Sequence, residues 1–501
     1  MTSSYGQTYQ EEMLSMVEEP NYYNQLGEIA SFYSGKKIFI TGGLGFLGRL
    51  IVEKLLRCCP EITMVYLLIR PKNQKDMLTR FKEYFNNVVF DRLKREQKDA
   101  EKKIVLIKGN MDELNLGLSE EDRERIKDTN VIIHSAASVR FVDNIRSLVN
   151  TNIKGTKNLL LLAQEMPNLK AFVHVSTAYS QCINKNIEEK FYKPPLKTED
   201  IINLTEILNE EQLDIITPNL IGKWPNTYTY TKAISEDTVR QYTNGIPTCI
   251  VRPSMIISTE KEPIAGWINN LYGLMGFAAG IYLGIIHTIH ADKNICLDIV
   301  PADYVTNNII VAAWDCAQRG SVPPSIVDSD NSSSDGKEIL IYNMISSAQK
   351  RRSLSELSLG YFKVGFKVPV MKTLSYYFLI FTKSKYLYYF YAIIFHWIPA
   401  LFIDSLAYLT GRKPILLNLH KKIFKFCHVM TYFTTREWKF ANDNVLHLWD
   451  KLSVSDKYNF FFNIADLDWD AYNYAYIRGL RIFILKDPME TKEKALIRLK
   501  K

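Results

Sequence analysis

The first half of the chain alternates short, nearly continuous apolar runs with stretches whose apolar residues recur at helical spacing. The runs are KIFI (37–40), TMVYLLIR (63–70), KIVLIKG (103–109), NVIIHSAA (130–137), KAFVHVST (170–177) and TCIVRPSMI (248–256). They are rich in β-branched residues and show little polar alternation, which predicts strands covered on both faces of a parallel sheet. Helical periodicity lies between them, as in FLGRLIVEKLLRCC (46–59), and Ser119-x-x-Asp122 resembles a capping box that opens another helix. Strand–helix alternation of this regularity predicts an α/β fold with a doubly wound parallel sheet of the Rossmann type. Beyond about residue 350 the pattern becomes aromatic, basic and mostly helical, and the polar stretch 328–338 reads as a loop. The expected organisation is a mobile lead-in over 1–34, an α/β domain over 35–345, a mostly helical C-terminal domain over 346–490 and a basic tail over 491–501. That tail reads as an exposed amphipathic helix.

Two apolar stretches raise the membrane question. Residues 263–290 contain no Asp, Glu, Lys or Arg, yet carry five glycines, two adjacent asparagines and two histidines. A buried, glycine-rich segment beside an apolar pocket accounts for them better than a span of ~20 apolar residues. Residues 386–410 are flanked by Lys383, Lys385 and Arg412 but hold His396, Pro399 and Asp404 inside. A central Asp costs about 2.5–3.5 kcal/mol on insertion scales, which argues against a clean span. An interfacial or re-entrant membrane contact and a buried core helix both remain open there.

Composition narrows the function. Of the 501 residues, 47% are hydrophobic and 23% charged, so large cores are possible. The net charge of +8 is spread among interleaved acids and bases. Nucleic-acid binding needs a concentrated basic stripe, and none is visible. The seven cysteines are odd in number and lack metal-ligand spacing, which points away from a disulfide framework or a metal site and towards a reducing compartment. The polar, acidic N-terminus does not read as a secretory signal.

Chemistry enters at TGGLGFLG, residues Thr41, Gly42, Gly43, Leu44, Gly45, Phe46, Leu47 and Gly48, which follows a predicted strand and opens a predicted helix. Glycines there allow a sharp turn and close backbone approach to a pyrophosphate, and the helix start offers free N–H groups. The strand–loop–helix setting makes the dinucleotide reading specific. An NAD enzyme usually offers Asp or Glu to the ribose about twenty residues on. Here the second strand ends LLIRPK, and Arg70 and Lys72 suit the 2′-phosphate of NADPH. Tyr228 and Lys232 stand at i and i+4, on one helix face. The ammonium is expected to lower the tyrosine's pKa from ~10, so that the phenol can donate a proton to a carbonyl oxygen. Ser176 and Thr177, at the end of the fifth strand, are the candidate oxyanion donors. His134 and His174 read as core residues packed along the sheet.

Together these segments resemble the extended short-chain dehydrogenase/reductase superfamily and, more narrowly, the alcohol-forming fatty acyl-CoA reductases. The resemblance rests on TGGLGFLGRLIVEKLLR, LLIRPK, HSAASVRF (134–141), FVHVSTAY (172–179), NTYTYTKAISE (226–236), VRPSMI (251–256), GWINNLYG (266–273) and DIVPADYVTN (298–307). HWIPALFIDSLAYLTGRKP (396–414) and DWDAYNYAYIRGLRIFILKD (468–487) resemble that family's C-terminal domain. The resemblance implies catalysis by Tyr228, Lys232 and a Ser/Thr, for which it favours Thr177 over Ser176. It also implies that Lys232 contacts the nicotinamide ribose, that Pro253 and Ser254 lie near the nicotinamide, and that Ala136 and Ala137 line the cofactor cleft. Asn110 stands where the family usually has Asp, and AQKRRS replaces an Asn-Pro run after IYNMISS (341–347).

The expected reaction is a four-electron reduction of a long-chain fatty acyl-CoA by NADPH to an alcohol, through an aldehyde, without an acyl-cysteine. Residues 263–290 and the aromatic C-terminal half are the candidate walls for the acyl chain. Lys350, Arg351 and Arg352 are candidate CoA contacts, with a solvated charge run the plainer reading. A reductase that stops at the aldehyde, a nucleotide-sugar epimerase or dehydratase, and an inactive membrane-bound scaffold are the rival readings. Membrane association on a cytosol-facing surface is expected; oligomeric state is not legible.

Overall fold

The six apolar runs all become parallel strands, and a seventh joins them. In the computed structural model, which describes residues 27–70, 77–139, 141, 143–320 and 338–500, the strands are β1 (Lys37–Thr41), β2 (Met64–Ile69), β3 (Ile104–Lys108), β4 (Val131–His134), β5 (Ala171–Val175), β6 (Thr248–Pro253) and β7 (Leu340–Met344). Their order is β7-β6-β5-β4-β1-β2-β3, parallel throughout. The chain therefore reverses direction across the sheet between β1 and β4, the switch point at which such sheets open a crevice at their carboxyl edge.

Burial on both faces explains the continuous apolar runs. Ile38, Ile40, Val131 and Ile133 pack into one core and Phe39, Ile132 and Phe172 into the other, all fully buried. Successive side chains point to opposite faces, so both parities must be apolar. Helices α1 (Phe46–Cys58) and α4 (Ala302–Arg319) cover the first face; α2 (Gly155–Ala163) and α3 (Thr227–Tyr242) cover the second. Ser119 accepts from the Asp122 N–H at 3.1 Å and caps the helix Glu120–Ile126, as its spacing suggested.

The lead-in needs correction. Glu28–Tyr33 is a helix docked on the core, with Ile29 and Tyr33 fully buried. Asp456 accepts from the N–H groups of Glu28 and Ile29, and the Tyr33 hydroxyl donates to Ile310 O at 2.9 Å. Polarity hid this segment, because its capping carboxylate comes from more than 400 residues away. Strand β7 was also unforeseen. It is an edge strand of five residues, and its Asn343 bonds outside the sheet, the backbone N–H donating to Glu189 and the side-chain amide to Ala441 O. Most of the polar stretch 328–338 lies outside the described residues.

The C-terminal helices share the sheet's first core. Leu354, Leu357, Trp469, Tyr472, Tyr476 and Leu480 belong to the same buried cluster as α1 and α4. Two short parallel ladders, Asn186–Ile187 with Lys439–Phe440 and Thr288–His290 with Ile380–Thr382, tie the halves together. Residues 263–290 are largely buried, as expected, with the helix Leu274–Tyr282 at their centre. Helix α5 (Lys385–Leu409) behaves differently. It is the one described helix long and apolar enough to cross a membrane, and only 22% of its most apolar window is buried. It is therefore no core helix. Helix α6 (Leu416–Thr434) returns alongside it, and Asp404 accepts from the N–H groups of Ile415, Leu416 and Leu417 at 2.8–3.0 Å. Helix α7 (Trp469–Gly479) lies back on the core, and the tail forms the exposed helix Lys492–Lys500.

Arg481 holds the last part of the chain in place. It is fully buried and donates to Pro369 O, Asp487 O, Pro488 O and Thr491 Oγ1, with the Asp487 carboxylate at 3.4 Å. Arg481→Met leaves Asp487 buried without its counter-ion. It should lower unfolding stability by about 3 kcal/mol, read from the urea midpoint; Arg481→Met combined with Asp487→Asn should recover part of the loss.

Candidate active site

The carboxyl ends of β1, β4, β5 and β6 converge on one crevice, and most of the expected site residues stand there. Thr41 closes β1. Gly42 follows with φ +75°, and a Cβ on it would lie 2.7 Å from Ala136 N. Gly45 N–H donates to Gly42 O at 2.8 Å, and α1 begins at Phe46. A Cβ on Gly48 would collide with the Gly42 carbonyl and Gly43 Cα. The loop thus packs against its own helix too closely for any side chain. The first N–H groups of α1 are left without intrahelical partners, facing the crevice mouth. These features fit the pyrophosphate of a dinucleotide.

A buried hydrogen-bond chain supports the loop from below. The Thr156 hydroxyl donates to Asn152 O at 2.7 Å, so it accepts from His134 Nε2–H at 2.9 Å. His134 Nδ1 must then accept from the Thr41 hydroxyl, 2.7 Å away, and Thr41 Oγ1 accepts from Ala136 N–H at 3.3 Å. Burial drives the His134 pKa down to about 3, and the Lys232 charge adds to this. A neutral imidazole is what this pattern needs. His134 was expected to pack in the core; it does, and it also fastens the two strand ends that flank the loop.

Helix α3 carries the proton-handling pair. Asn226 caps it, accepting from Thr229 N–H at 2.9 Å. Lys232, almost fully buried, donates to Val175 O at 2.8 Å, which leaves two N–H groups for other partners. Burial lowers its pKa to about 8, with Glu236 opposing. Tyr228 is partly exposed to the crevice, and its ring lies 5.7 Å from that of Phe141. The expectation of a lowered tyrosine pKa fails. Burial raises it, the neighbouring Thr177 hydroxyl partly offsets the rise, and the Lys232 ammonium is turned to Val175 O. Tyr228 is thus held as a phenol with its proton in place.

Ser176 and Thr177 separate cleanly. Ser176 donates to Glu236 Oε1 at 2.5 Å and is committed to that carboxylate. Thr177 stands beside Tyr228, accepts from Tyr179 N–H at 3.3 Å, and has Pro253 O 3.5 Å away. Pro253 ends β6, and the Ser254 hydroxyl beside it is buried with no partner among the described residues. Ala136 and Ala137 are half-buried just past β4. Arg70, exposed past β2, has among the described residues only a distant Asp112 carboxylate at 4.0 Å. Lys72 lies outside the described residues. The Asn110 side chain is engaged locally, donating to Glu113 and accepting from Asp112 N–H.

Several residues of the crevice escaped the sequence reading. Glu236 and Arg252 form a fully buried bidentate pair at 2.8–2.9 Å. Asn152 sits in a π-helical turn, donates to Thr231 Oγ1 and accepts from Ser138 N–H, so it joins α3 to the loop after β4. The signal for Glu236 was faint: it lies one turn past Lys232, at i+4. Lys350, Arg351 and Arg352 are engaged by Ala465 O, Glu437 and Glu356. Burial raises the Cys182 thiol to about 12 and Cys296 to about 11, so neither is a ready nucleophile.

Comparison with known proteins gives the family. Two family profiles, both described as male sterility protein, match residues 40–309 and 395–487. Fatty acyl-CoA reductase wat of Drosophila melanogaster is 36% identical over 458 residues, covering 91% of this chain and 85% of that protein. The chain belongs to the fatty acyl-CoA reductase family. Fatty acyl-CoA reductase 1 of Rattus norvegicus is likewise 36% identical, over 92% of this chain and 87% of its own length. Among solved structures, the terminal R domain from the myxalamid PKS-NRPS biosynthetic pathway aligns with a TM-score of 0.57 at 16% identity, covering 91% of this chain and 93% of that one. The reductase domain of a non-ribosomal peptide synthetase from Mycobacterium tuberculosis aligns at 0.56 and 16% identity, over 90% and 94%. These reductase folds match the family's architecture, including its helical C-terminal part, and the chain is a nicotinamide-dependent oxidoreductase.

Lys232 gives a pH prediction. Its folded pKa of about 8 lies below the ordinary lysine value, so the ammonium is charged below that pH and neutral above it. If the charged form holds the cofactor, kcat/KM for the cofactor should fall as pH rises through about 8. Lys232→Met should lose this limb and drop about 100-fold or more at pH 7; a limb that persists in the variant would assign it to another group.

Proposed function

We propose that this protein reduces a long-chain fatty acyl-CoA to the alcohol, with release of CoA, at the expense of two NADPH. The observation that carries the reading is the pairing of two hydroxyl donors, Tyr228 and Thr177, at the carboxyl edge of β5, in a chain whose relatives over nine-tenths of its length are fatty acyl-CoA reductases.

Bound reduced nicotinamide supplies hydride to an acyl carbon. The protein's own residues do the rest. The thioester oxygen accepts hydrogen bonds from Tyr228 and Thr177, which stabilise the negative charge that develops as hydride arrives. Collapse of that tetrahedral species breaks the carbon–sulfur bond and releases CoA as the thiolate, which takes its proton from solvent, leaving an aldehyde. In the second reduction the same two hydroxyls hold the aldehyde oxygen, and Tyr228 donates its proton to form the alcohol. Its high pKa suits a donor that stays protonated until charge appears beside it. Lys232 offers its two remaining N–H groups to the nicotinamide ribose. Ser176 acts on Thr177 only indirectly, by fixing the strand end through Glu236.

The cofactor preference for NADPH rests on Arg70, whose guanidinium is exposed past the end of β2. For the acyl chain, residues 263–290 and the C-terminal helices supply apolar walls; the cavity between them, lined by Ala278, Ile281, Tyr282, Tyr361, Phe362 and Tyr377, holds about 30 Å³ and would have to open to admit a chain. Cytosol-facing membrane association fits a product and substrate with long apolar chains.

Incubation of the detergent-solubilised protein with NADPH and a series of acyl-CoAs, followed by product identification, tests the reaction. About two NADPH oxidised per alcohol is expected; accumulating aldehyde would limit the activity to the first step, and no oxidation with any acyl-CoA would end the proposal. Tyr228→Phe should abolish turnover while cofactor binding persists. Thr177→Val should lower kcat about 100-fold, whereas Ser176→Ala should act mainly on stability.

The charge of Arg70 makes a separate prediction. Arg70→Glu should raise the NADPH Michaelis constant about tenfold or more, the loss of a charge-assisted hydrogen bond, with NADH unaffected. An unchanged value would remove Arg70 from the site.

A further inference from the structure

The hairpin of α5 and α6 presents a surface that the reaction does not use. Along α5, Tyr386, Phe390, Ile394, Ile398, Phe402 and Leu406 recur at a spacing of four, and all are exposed, Tyr386 to 84% and Phe402 to 70%. Leu387, Ile393, Leu401 and Ile403 are exposed between them, so apolar surface covers more than one side of the helix, far more than solvent-facing helices tolerate. Its charge is one-sided. Between residues 385 and 434 the cations are Lys385, Arg412, Lys413, Lys421, Lys422 and Lys425, and the single acid is Asp404. All six cations are exposed, and among the described residues none is ion-paired. Asp404 is buried, its carboxylate consumed as the N-terminal cap of α6. The hairpin therefore shows its surroundings apolar side chains and positive charge, with no exposed carboxylate.

From these features we infer that the α5–α6 hairpin docks in the plane of an anionic lipid leaflet, with the α5 stripe in the acyl zone and the lysines of α6 among the headgroups. A second copy of this chain is the poorer occupant, because two such faces would bring six cations against six. A transmembrane hairpin is excluded by α6, which would carry Lys421, Lys422 and Lys425 through the hydrocarbon. Asp404 no longer opposes membrane contact, since three backbone N–H groups already satisfy it.

The docked surface also connects to the crevice. Phe433, in the last turn of α6, lies 6.2 Å from Phe141, whose ring is 5.7 Å from Tyr228. One helix thus runs from the exposed lysines to the reacting groups, so docking would bring the crevice close to the leaflet that holds a long-chain substrate. That second step rests on the acyl-CoA reading proposed above; the docking does not.

Sedimentation of the full-length protein with vesicles of phosphatidylcholine, with and without phosphatidylserine, tests the docking. Binding should be about tenfold or more stronger with phosphatidylserine and should weaken with salt. Phe402→Glu with Leu406→Glu should abolish it, and Lys421→Glu, Lys422→Glu and Lys425→Glu together should erase the lipid preference. All five positions are at the surface, so unchanged thermal unfolding should accompany both variants. Wild-type protein that stays in the supernatant with both vesicles would overturn the inference. So would an apolar-face variant that sediments like wild type, or one that merely converts a dimer to a monomer. Sedimentation requires no turnover, so a failure here is separate from a failure to oxidise NADPH.

Discussion

The buried carboxylate of Glu236 is the interaction on which the crevice depends. It accepts two bonds from Arg252 on β6, one from Ser176 past β5, and others from Ser180 and Gln181. Arg252 in turn donates to the carbonyls of Glu188 and Lys190. One side chain on α3 therefore fixes the position of that helix against two strand ends and two loops. A buried ion pair of this kind adds little net stability, because desolvation offsets most of the attraction; breaking it by removing one partner costs about 3–5 kcal/mol. What it supplies is register. Tyr228 and Lys232 lie two turns and one turn earlier on the same helix, so any slip of Glu236 moves both. The carboxylate also raises the Lys232 pKa against the larger effect of burial, and its hold on Ser176 leaves Thr177 as the hydroxyl beside Tyr228.

How far the sequence could be read follows from the range of each interaction. The sheet was legible because covering both faces of a parallel strand demands continuous apolar runs, a local pattern. The glycine loop was legible because a steric requirement falls on specific positions: a positive φ at Gly42 and direct contact between Gly48 and the Gly42 carbonyl. The roles of His134, Asn152, Glu236 and Arg252 were not legible. Each acts through partners 14 or more residues away, and a polar residue inside an apolar strand or helix looks alike whether it is structural or supports a site. The docked helix Glu28–Tyr33 was missed for the same reason, since Asp456 caps it from the other end of the chain.

The tyrosine illustrates a different limit. Tyr-x-x-x-Lys spacing places two side chains on one face, and charge proximity then suggests a depressed phenol pKa. That step assumes the ammonium points at the phenol. In the structure Lys232 turns to Val175 O and burial dominates Tyr228. Spacing along a helix specifies a shared face; the direction of the ammonium is set by which acceptor the surrounding strands offer.

Asp404 shows the same principle acting in the opposite sense. Counted along the sequence, it is a charge inside an apolar stretch and an obstacle to any membrane contact. In three dimensions the chain reverses after residue 409, and the carboxylate receives the first free N–H groups of the returning helix. The cost of burying the charge is met by donors that would themselves have lacked partners. A hydropathy window cannot register this, because the donors belong to the next helix. Satisfied in this way, the one acid of the hairpin stabilises the turn that sets the apolar stripe and the lysines on a common surface. The residue that argues most strongly against a transmembrane span is thus the one that shapes the hairpin proposed to lie in the interface.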